Sequence, residues 1–236
     1  MTKLHDAFIH LMQKMNWRKS MTHALAAGTG RSIRCCCCSL IGLALFSPLA
    51  AFSADLGTLT PVCSGCHGPD GISENSTVPT IAGQAYTLIE DNLLAFRDGE
   101  RACTETELLQ GEAAALVLAM CAVVATLEDR DISALAEFYE LQVFAPARQS
   151  FDPALTTEGA RIHQQAGCEV CHSQGGRESN GMAAILAGQW TPYLERSLLR
   201  IRAGERMGPK VMNRAIRELT DGDIAALLSY YASQQD

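Results

Sequence analysis

The chain contains an internal repeat that carries one five-residue motif twice, and this repeat limits the fold more than any other feature. CSGCH begins at Cys63 and CEVCH begins at Cys168, an offset of 105 residues. The segments 81–101 and 186–206 match at the same offset without a gap. Two repeats of about ninety residues predict two small domains of similar fold.

The match continues beyond Arg101, but at a different offset. Residues 120–135 correspond to residues 212–227 at an offset of 92. The first copy therefore has thirteen additional residues between Arg101 and Met120, and Cys103 lies in this insertion.

Helix start and stop signals occur in both copies, and no segment shows the alternation that is typical of a strand. Thr191 is expected to cap a helix with Pro192 at its first position, and Gly204 ends that helix. Thr220 opens the last helix, and the counterpart of this helix starts near Asp129. The predicted fold class is all-α.

The first fifty-four residues have the composition of a secretory signal. A basic region precedes the apolar run CCCCSLIGLALFSPLA, and the small residues AAFSA end it. This order predicts cleavage near residues 50–54, with an uncleaved anchor as the alternative. The predicted organisation is a signal peptide at 1–54, a first domain with the insertion at 55–145, and a second domain at 146–236.

Charge is divided unevenly between the two copies. Residues 55–147 contain three arginines and fifteen acidic residues, a net charge of −12, whereas residues 148–236 contain ten basic and ten acidic residues. This balance argues against nucleic acid as the main partner. The asymmetry fits a dipole that orients a docking partner, and it equally fits an acidic face that only keeps the protein in solution.

The CxxCH motif has a specific chemical use. Its two thiols attach the vinyl groups of one haem, and the adjacent histidine reaches the iron. A redox dithiol or half of a zinc site could use the same cysteines. Two copies at matching positions of an exported chain favour haem, so two covalently bound haem c groups are predicted. The residues involved are Cys63, Cys66, His67, Cys168, Cys171 and His172.

A six-coordinate haem iron needs a second axial ligand in each copy. His163 could serve at most one haem and is interpreted as an ordinary helix residue. Of the four methionines after the signal, only Met120 and Met212 occupy equivalent positions, each seven residues before a leucine. Symmetry therefore selects Met120 and Met212. Met207 is the alternative for the second haem, and Met182 is interpreted as a packing residue.

Both copies resemble class I cytochrome c domains, and residues 57–234 resemble the dihaem cytochrome c4 family. The similar segments are CSGCHGPDG, PTIAGQ and AFRDGER in the first copy, and GCEVCH, LAGQ, IRAGER and MNRAIRELTDGDIAALLSYYAS in the second. The resemblance implies two tandem class I domains, each wrapped around one covalent haem. It also implies the same cysteine, histidine and methionine ligands.

The resemblance implies an electron carrier without a substrate of its own. Members of this family shuttle electrons in the periplasm, often toward a terminal oxidase. The alternative is an electron-accepting subunit of a dehydrogenase, because the cytochrome subunit of flavocytochrome c sulfide dehydrogenase, whose partner is a flavoprotein, is similar too. A dihaem enzyme that acts on thiosulfate or peroxide would need an open iron ligand, which two symmetric methionines argue against. Membrane association is expected only if the signal is uncleaved.

Two features depart from the family pattern. Pro79 fits the position whose carbonyl orients the axial histidine, but the second copy has Ala184, so its carbonyl is expected to act from a looser turn. Cys103 and Cys121 are unused by haem in an oxidising compartment, which predicts a disulfide. A free Cys121 that replaces Met120 at the iron is the alternative.

Overall fold

The regular structure follows the repeat, with a set of helices in each copy. In the computed structural model, the described residues are 54–101, 103, 120–179, 181, 183–206 and 208–236. The helices of the first copy are α1 (Leu56–His67), α2 (Tyr86–Arg97), α3 (Met120–Val124) and α4 (Asp129–Glu140), with a 3-10 turn at Pro69–Gly71. Those of the second copy are α5 (Pro153–Gln165), α6 (Ser173–Gly176), α7 (Thr191–Ala203), α8 (Lys210–Glu218) and α9 (Asp221–Ala232), with a 3-10 turn at Cys168–Val170.

Helices are the only regular elements within the described ranges, which confirms the all-α prediction. Both copies belong to one compact unit that spans Ala50–Asp236. The predicted signal peptide lies outside the described residues except for Ala54, and so does the insertion except for Cys103. The domain boundaries predicted at 145 and 146 remain predictions. None of the described helices is long and apolar enough to cross a membrane.

A side-chain cap fixes the start of α9, but not that of α7. The Thr220 hydroxyl accepts from Asp223 N at 3.1 Å, and the Asp223 carboxylate accepts from Thr220 N at 2.8 Å, so the predicted start of α9 is correct. The predicted cap of α7 is wrong by one residue, because Thr191 is the first helical residue. The side chain of Gln149 accepts both the Thr191 N–H and the Thr191 hydroxyl at 2.9 Å, which leaves that hydroxyl unable to cap.

Each copy has its own apolar core. In the first copy α4 packs against α1 and α2, and in the second copy α9 packs against α5 and α7. These contacts bury an aromatic side chain near the end of the last helix in each copy, Tyr139 in α4 and Tyr231 in α9. The buried core residues are Ile89, Leu135, Ala136 and Tyr139 in the first copy, and Ile162, Leu194, Ala226, Leu227 and Tyr231 in the second.

The AGQ turn of each copy is held against the last helix of the same copy. Gly83 N donates to Tyr139 O at 2.8 Å, and Gly188 N donates to Tyr231 O at 2.9 Å. Both glycines have a positive φ, and a Cβ at Gly188 would lie 2.5 Å from Pro146 Cβ. Only glycine fits such a position without strain. The two turns are thereby fixed beside the predicted axial histidines.

Candidate cofactor sites

His67 is the last residue of α1, and its ring is held by the backbone. Nδ1 lies 2.8 Å from the carbonyl oxygen of Pro79. Because a carbonyl can only accept, Nδ1 carries the proton and the Nε2 lone pair is available to a metal. Burial lowers the pKa of His67, and the bond to Pro79 opposes this effect only in part. The ring is therefore neutral, which is the form that binds a metal.

His172 has the same arrangement in the second copy. Its Nδ1 lies 2.8 Å from the carbonyl oxygen of Ala184, and burial lowers the pKa of its ring. The replacement of proline by alanine at this turn leaves the bond length unchanged. The two copies therefore present two neutral histidines of the same tautomer.

None of the four cysteines of the CxxCH motifs is paired in a disulfide. Burial raises the pKa values of Cys63, Cys66 and Cys168. A redox-active dithiol needs a lowered thiol pKa, so this environment disfavours the dithiol alternative. A structural zinc needs four ligands, and the part of the chain that the structure describes holds no group of three or more His, Cys, Asp or Glu side chains suited to a metal ion.

One cleft brings together all four residues predicted to bind the first haem. Cys63, Cys66, His67 and Met120 line it, with Met120 at the first position of α3. The rest of the wall is largely apolar, as a flat hydrophobic macrocycle requires. The apolar side chains include Val78, Ile89, Leu93, Phe96, Val124 and Leu135.

Met212 lies in the first turn of α8, and the residue after it anchors this segment. The buried side chain of Asn213 accepts from Gly208 N at 3.0 Å and donates to Gly208 O at 2.8 Å. The start of α8 is thus tied to the chain that leads into it. Met207, the alternative ligand, and Met182 both lie outside the described residues.

The residue after Met120 is anchored in a different way. Cys121 is joined to Cys103 by a disulfide, with Cα atoms 5.8 Å apart. By the offset of 92 residues, Cys121 is the counterpart of Asn213. A covalent bond in the first copy thus occupies the place of a pair of hydrogen bonds in the second. A disulfide-bonded Cys121 is not available to replace Met120 at an iron.

A cluster of arginines around Tyr193 was missed by the sequence analysis. Arg101 and Arg206 are equivalent in the repeat, and both interact with the Tyr193 hydroxyl in the lining of the first cleft, to which Arg196 and Arg200 also belong. Burial on its own would raise the pKa of Tyr193, but the charges of Arg206 and Arg101 bring it down to about 7. The excess positive charge there suits carboxylates, and a haem carries two propionates. The repeated GER triplet was the available signal.

His163 is also more than the ordinary helix residue that was predicted. Its ring is completely buried; Nδ1 lies 2.8 Å from the Tyr231 hydroxyl and Nε2 lies 2.8 Å from a Glu169 carboxylate oxygen. Nε2 is also 3.1 Å from His172 O. These partners use both ring nitrogens, so His163 supports the second CxxCH segment and is not placed as an iron ligand.

The all-α fold and the two matching CxxCH segments with buried histidines define a tandem c-type cytochrome with two class I domains. Cytochrome c4 of Azotobacter vinelandii is 33% identical over 181 residues, which cover 72% of this chain and 82% of the relative. The solved cytochrome c4 of Acidithiobacillus ferrooxidans has a TM-score of 0.59 and 28% identity, covering 72% of this chain and 98% of that chain. The chain belongs to the cytochrome c4 family. It is therefore a dihaem electron carrier rather than an enzyme, with two covalently bound haem c groups.

A shorter part of the chain is similar to the cytochrome subunit of an enzyme. The cytochrome subunit of sulfide dehydrogenase from Chlorobaculum tepidum is 45% identical over 42 residues, which cover 18% of this chain and 37% of that protein. No family model matches the chain.

Proposed function

We propose that this protein carries single electrons between redox proteins of the periplasm, with one haem in each copy of the repeat. In the first copy, Cys63 and Cys66 attach the haem, and His67 and Met120 are its axial ligands. A haem held in this way supplies an iron that gains and loses one electron.

In the second copy, Cys168 and Cys171 attach the haem, and His172 and Met212 are its axial ligands. The single observation that carries the proposal is the matched pair of histidine bonds, each 2.8 Å from Nδ1 to a carbonyl oxygen. Such a bond fixes the ring orientation and makes Nε2 a better donor to a metal. Two independent copies of one bond geometry are hard to explain by packing alone.

The protein's own groups then set the conditions for electron transfer. Apolar side chains make up much of the wall of the first cleft, and the Arg101, Arg206 and Tyr193 cluster would balance the carboxylates that the cofactor brings. Met120 and Met212 would supply thioether sulfurs, which favour the reduced state of a haem iron, and together with His67 and His172 they would leave no open position for a substrate. These residues would therefore suit the haem for electron transfer and not for chemistry on a bound substrate.

The proposed location and partners depend on charge and on the signal segment. Cleavage within residues 50–54 would release the chain into the periplasm. The acidic first copy and the neutral second copy form a dipole that can orient a donor and an acceptor toward different ends. A terminal oxidase is the proposed acceptor.

A second candidate is supported by the similarity to the cytochrome subunit of sulfide dehydrogenase. In this case the chain would accept electrons from a flavoprotein dehydrogenase in a stable complex. Purification from the native cells distinguishes the two: a flavoprotein at fixed stoichiometry supports the subunit, and a free chain that reduces an oxidase supports the carrier.

Haem counting tests the assignment of the two CxxCH motifs to haem attachment. The matured protein should contain two haems per chain, measured from the pyridine haemochrome spectrum. The variant with Cys63→Ala and Cys66→Ala should contain one haem, and the variant with Cys168→Ala and Cys171→Ala should also contain one. Two haems in either variant would overturn the assignment of that motif.

A further inference from the structure

Two buried glutamines cross between the copies of the repeat, and each one reaches the turn of the other copy. Gln189 Oε1 accepts from Thr80 N at 2.9 Å, and Gln189 Nε2 donates to Thr80 O at 2.8 Å. In the opposite direction, Gln84 Oε1 accepts from Ile185 N at 2.9 Å. Both glutamines are buried, with relative exposures of 5% for Gln84 and 2% for Gln189.

These contacts obey the symmetry of the repeat. Gln84 and Gln189 are equivalent at the offset of 105 residues, and so are their targets Thr80 and Ile185. Because each copy makes the same contact to the other, the contacts belong to the way the two copies pack together and not to one side chain alone.

The glutamines bond the same peptide groups that orient the predicted axial histidines. The peptide that joins Pro79 to Thr80 accepts from His67 Nδ1 through its carbonyl and donates to Gln189 through its N–H. The peptide that joins Ala184 to Ile185 does the same between His172 and Gln84. Each chain of hydrogen bonds thus runs from a histidine in one copy, across one peptide group, to a glutamine in the other.

Hydrogen bonds in such a chain polarise one another, most strongly where the surroundings are buried. Acceptance of the Thr80 N–H by Gln189 makes the Pro79 carbonyl a stronger acceptor for His67. A stronger bond at Nδ1 gives the ring more anionic character, which favours the oxidised state of a metal at Nε2. The influence of each glutamine is therefore felt in the opposite copy.

We propose that Gln84 and Gln189 are positioning residues, each of which holds and polarises the axial histidine of the opposite domain. This proposal rests on the proposed function, because it takes His67 and His172 as the iron ligands. It makes the reduction potential of each haem depend on a side chain of the other domain.

The coupling is stronger toward the first copy. Gln189 makes two bonds to Thr80, whereas Gln84 makes one to Ile185. Trp190 Nε1 also donates to Ser73 O at 2.8 Å and Arg196 donates to Thr77 O at 2.6 Å, but neither side chain bonds the peptide that holds His67. Loss of Gln189 should therefore change more than loss of Gln84.

The test uses the matured full-length protein with Gln189→Leu and Gln84→Leu. Midpoint potentials come from spectroelectrochemistry, and haem methyl proton shifts are assigned to each haem through the two variants that retain a single motif. Gln189→Leu should raise the potential and move the methyl shifts of the haem at His67. Gln84→Leu should do the same, to a smaller extent, for the haem at His172.

Trp190→Phe is the matched control, because it removes a bond between the copies without touching either histidine-bonded peptide. It should leave both potentials unchanged. If it shifts the first haem as much as Gln189→Leu does, or if each glutamine variant shifts the haem of its own domain, the proposal is overturned. A different experiment tests whether His67 is an iron ligand at all. If His67→Ala, made in the otherwise unmodified protein, leaves the ferric absorption spectrum unchanged, the ligand assignment is wrong, whatever the glutamine variants show.

Discussion

Cys121 is joined to Cys103 by a disulfide, and Cys121 is the residue that directly follows Met120. The bond closes a loop over a sequence separation of 18 residues, and it ties the start of α3 to the chain just after Arg101. The proposed methionine ligand of the first haem therefore lies next to a covalent anchor.

The double variant Cys103→Ser, Cys121→Ser should lower the free energy of unfolding by about 3 kcal/mol, because the open loop has more freedom in the unfolded chain. It should also weaken the long-wavelength charge-transfer band of methionine-ligated ferric haem by up to half, since one haem of two is affected. Urea denaturation and absorption spectroscopy measure the two effects. An unchanged band together with lowered stability would show that the disulfide does not hold Met120.

Asn213→Ala should have the corresponding effect at the second haem. The variant removes both hydrogen bonds that the buried Asn213 side chain makes to the half-buried Gly208, which should cost about 1–3 kcal/mol of unfolding free energy. The methyl shifts of the haem at His172 should move, and those of the haem at His67 should not. Equal movement of both sets would contradict the separate anchoring of the two methionines.

The repeat made much of this arrangement predictable. Local motifs were enough for the helical class, the CxxCH residues and the start of α9 at Thr220, because each depends on neighbours within a few residues. The pairing of Gln84 with Ile185 was not predictable, since it depends on how two domains meet. His163 was misjudged because its partner Tyr231, although in the same copy, is 68 residues away, and a polar residue on a helix gives no sign of such a contact.

The stability of the second domain should depend on pH through Glu169. Its carboxylate accepts from Gly175 N, and this bond, together with those from His163 and Gln174, lowers the pKa of Glu169 below the ordinary value of 4.5. A lowered pKa in the folded state stabilises the fold above the ordinary value, and the contribution disappears as the pH falls through the lowered value. Glu169→Gln should therefore be less stable than the parent near pH 7 and should approach it in acid.

Urea midpoints measured between neutral and acid pH test this dependence. Glu218→Gln is the control, because it removes the same charge from an exposed position at the end of α8. A difference from the parent that stays constant across the pH range would rule out titration of Glu169 as the cause.

The close crossing of α5 and α9 makes a last prediction about the second core. Gly159 lies against α9, where an added Cβ would be 2.6 Å from Tyr230 Cβ and would also meet the backbone oxygen of Ala226. Gly159→Ala should therefore push the helices apart and lower the free energy of unfolding by about 1–3 kcal/mol. Gly222→Ala is the matched control, since Gly222 also lies inside a helix and an added Cβ there would meet only Thr220 Oγ1, at an ordinary contact distance of 3.7 Å. Because alanine favours helix more than glycine does, the control should be neutral or slightly stabilising in thermal unfolding. A Gly159→Ala variant as stable as this control would mean that the two helices can move apart without a loss of stability. In that case the close packing of α5 against α9 would not be needed to hold His163 against Tyr231.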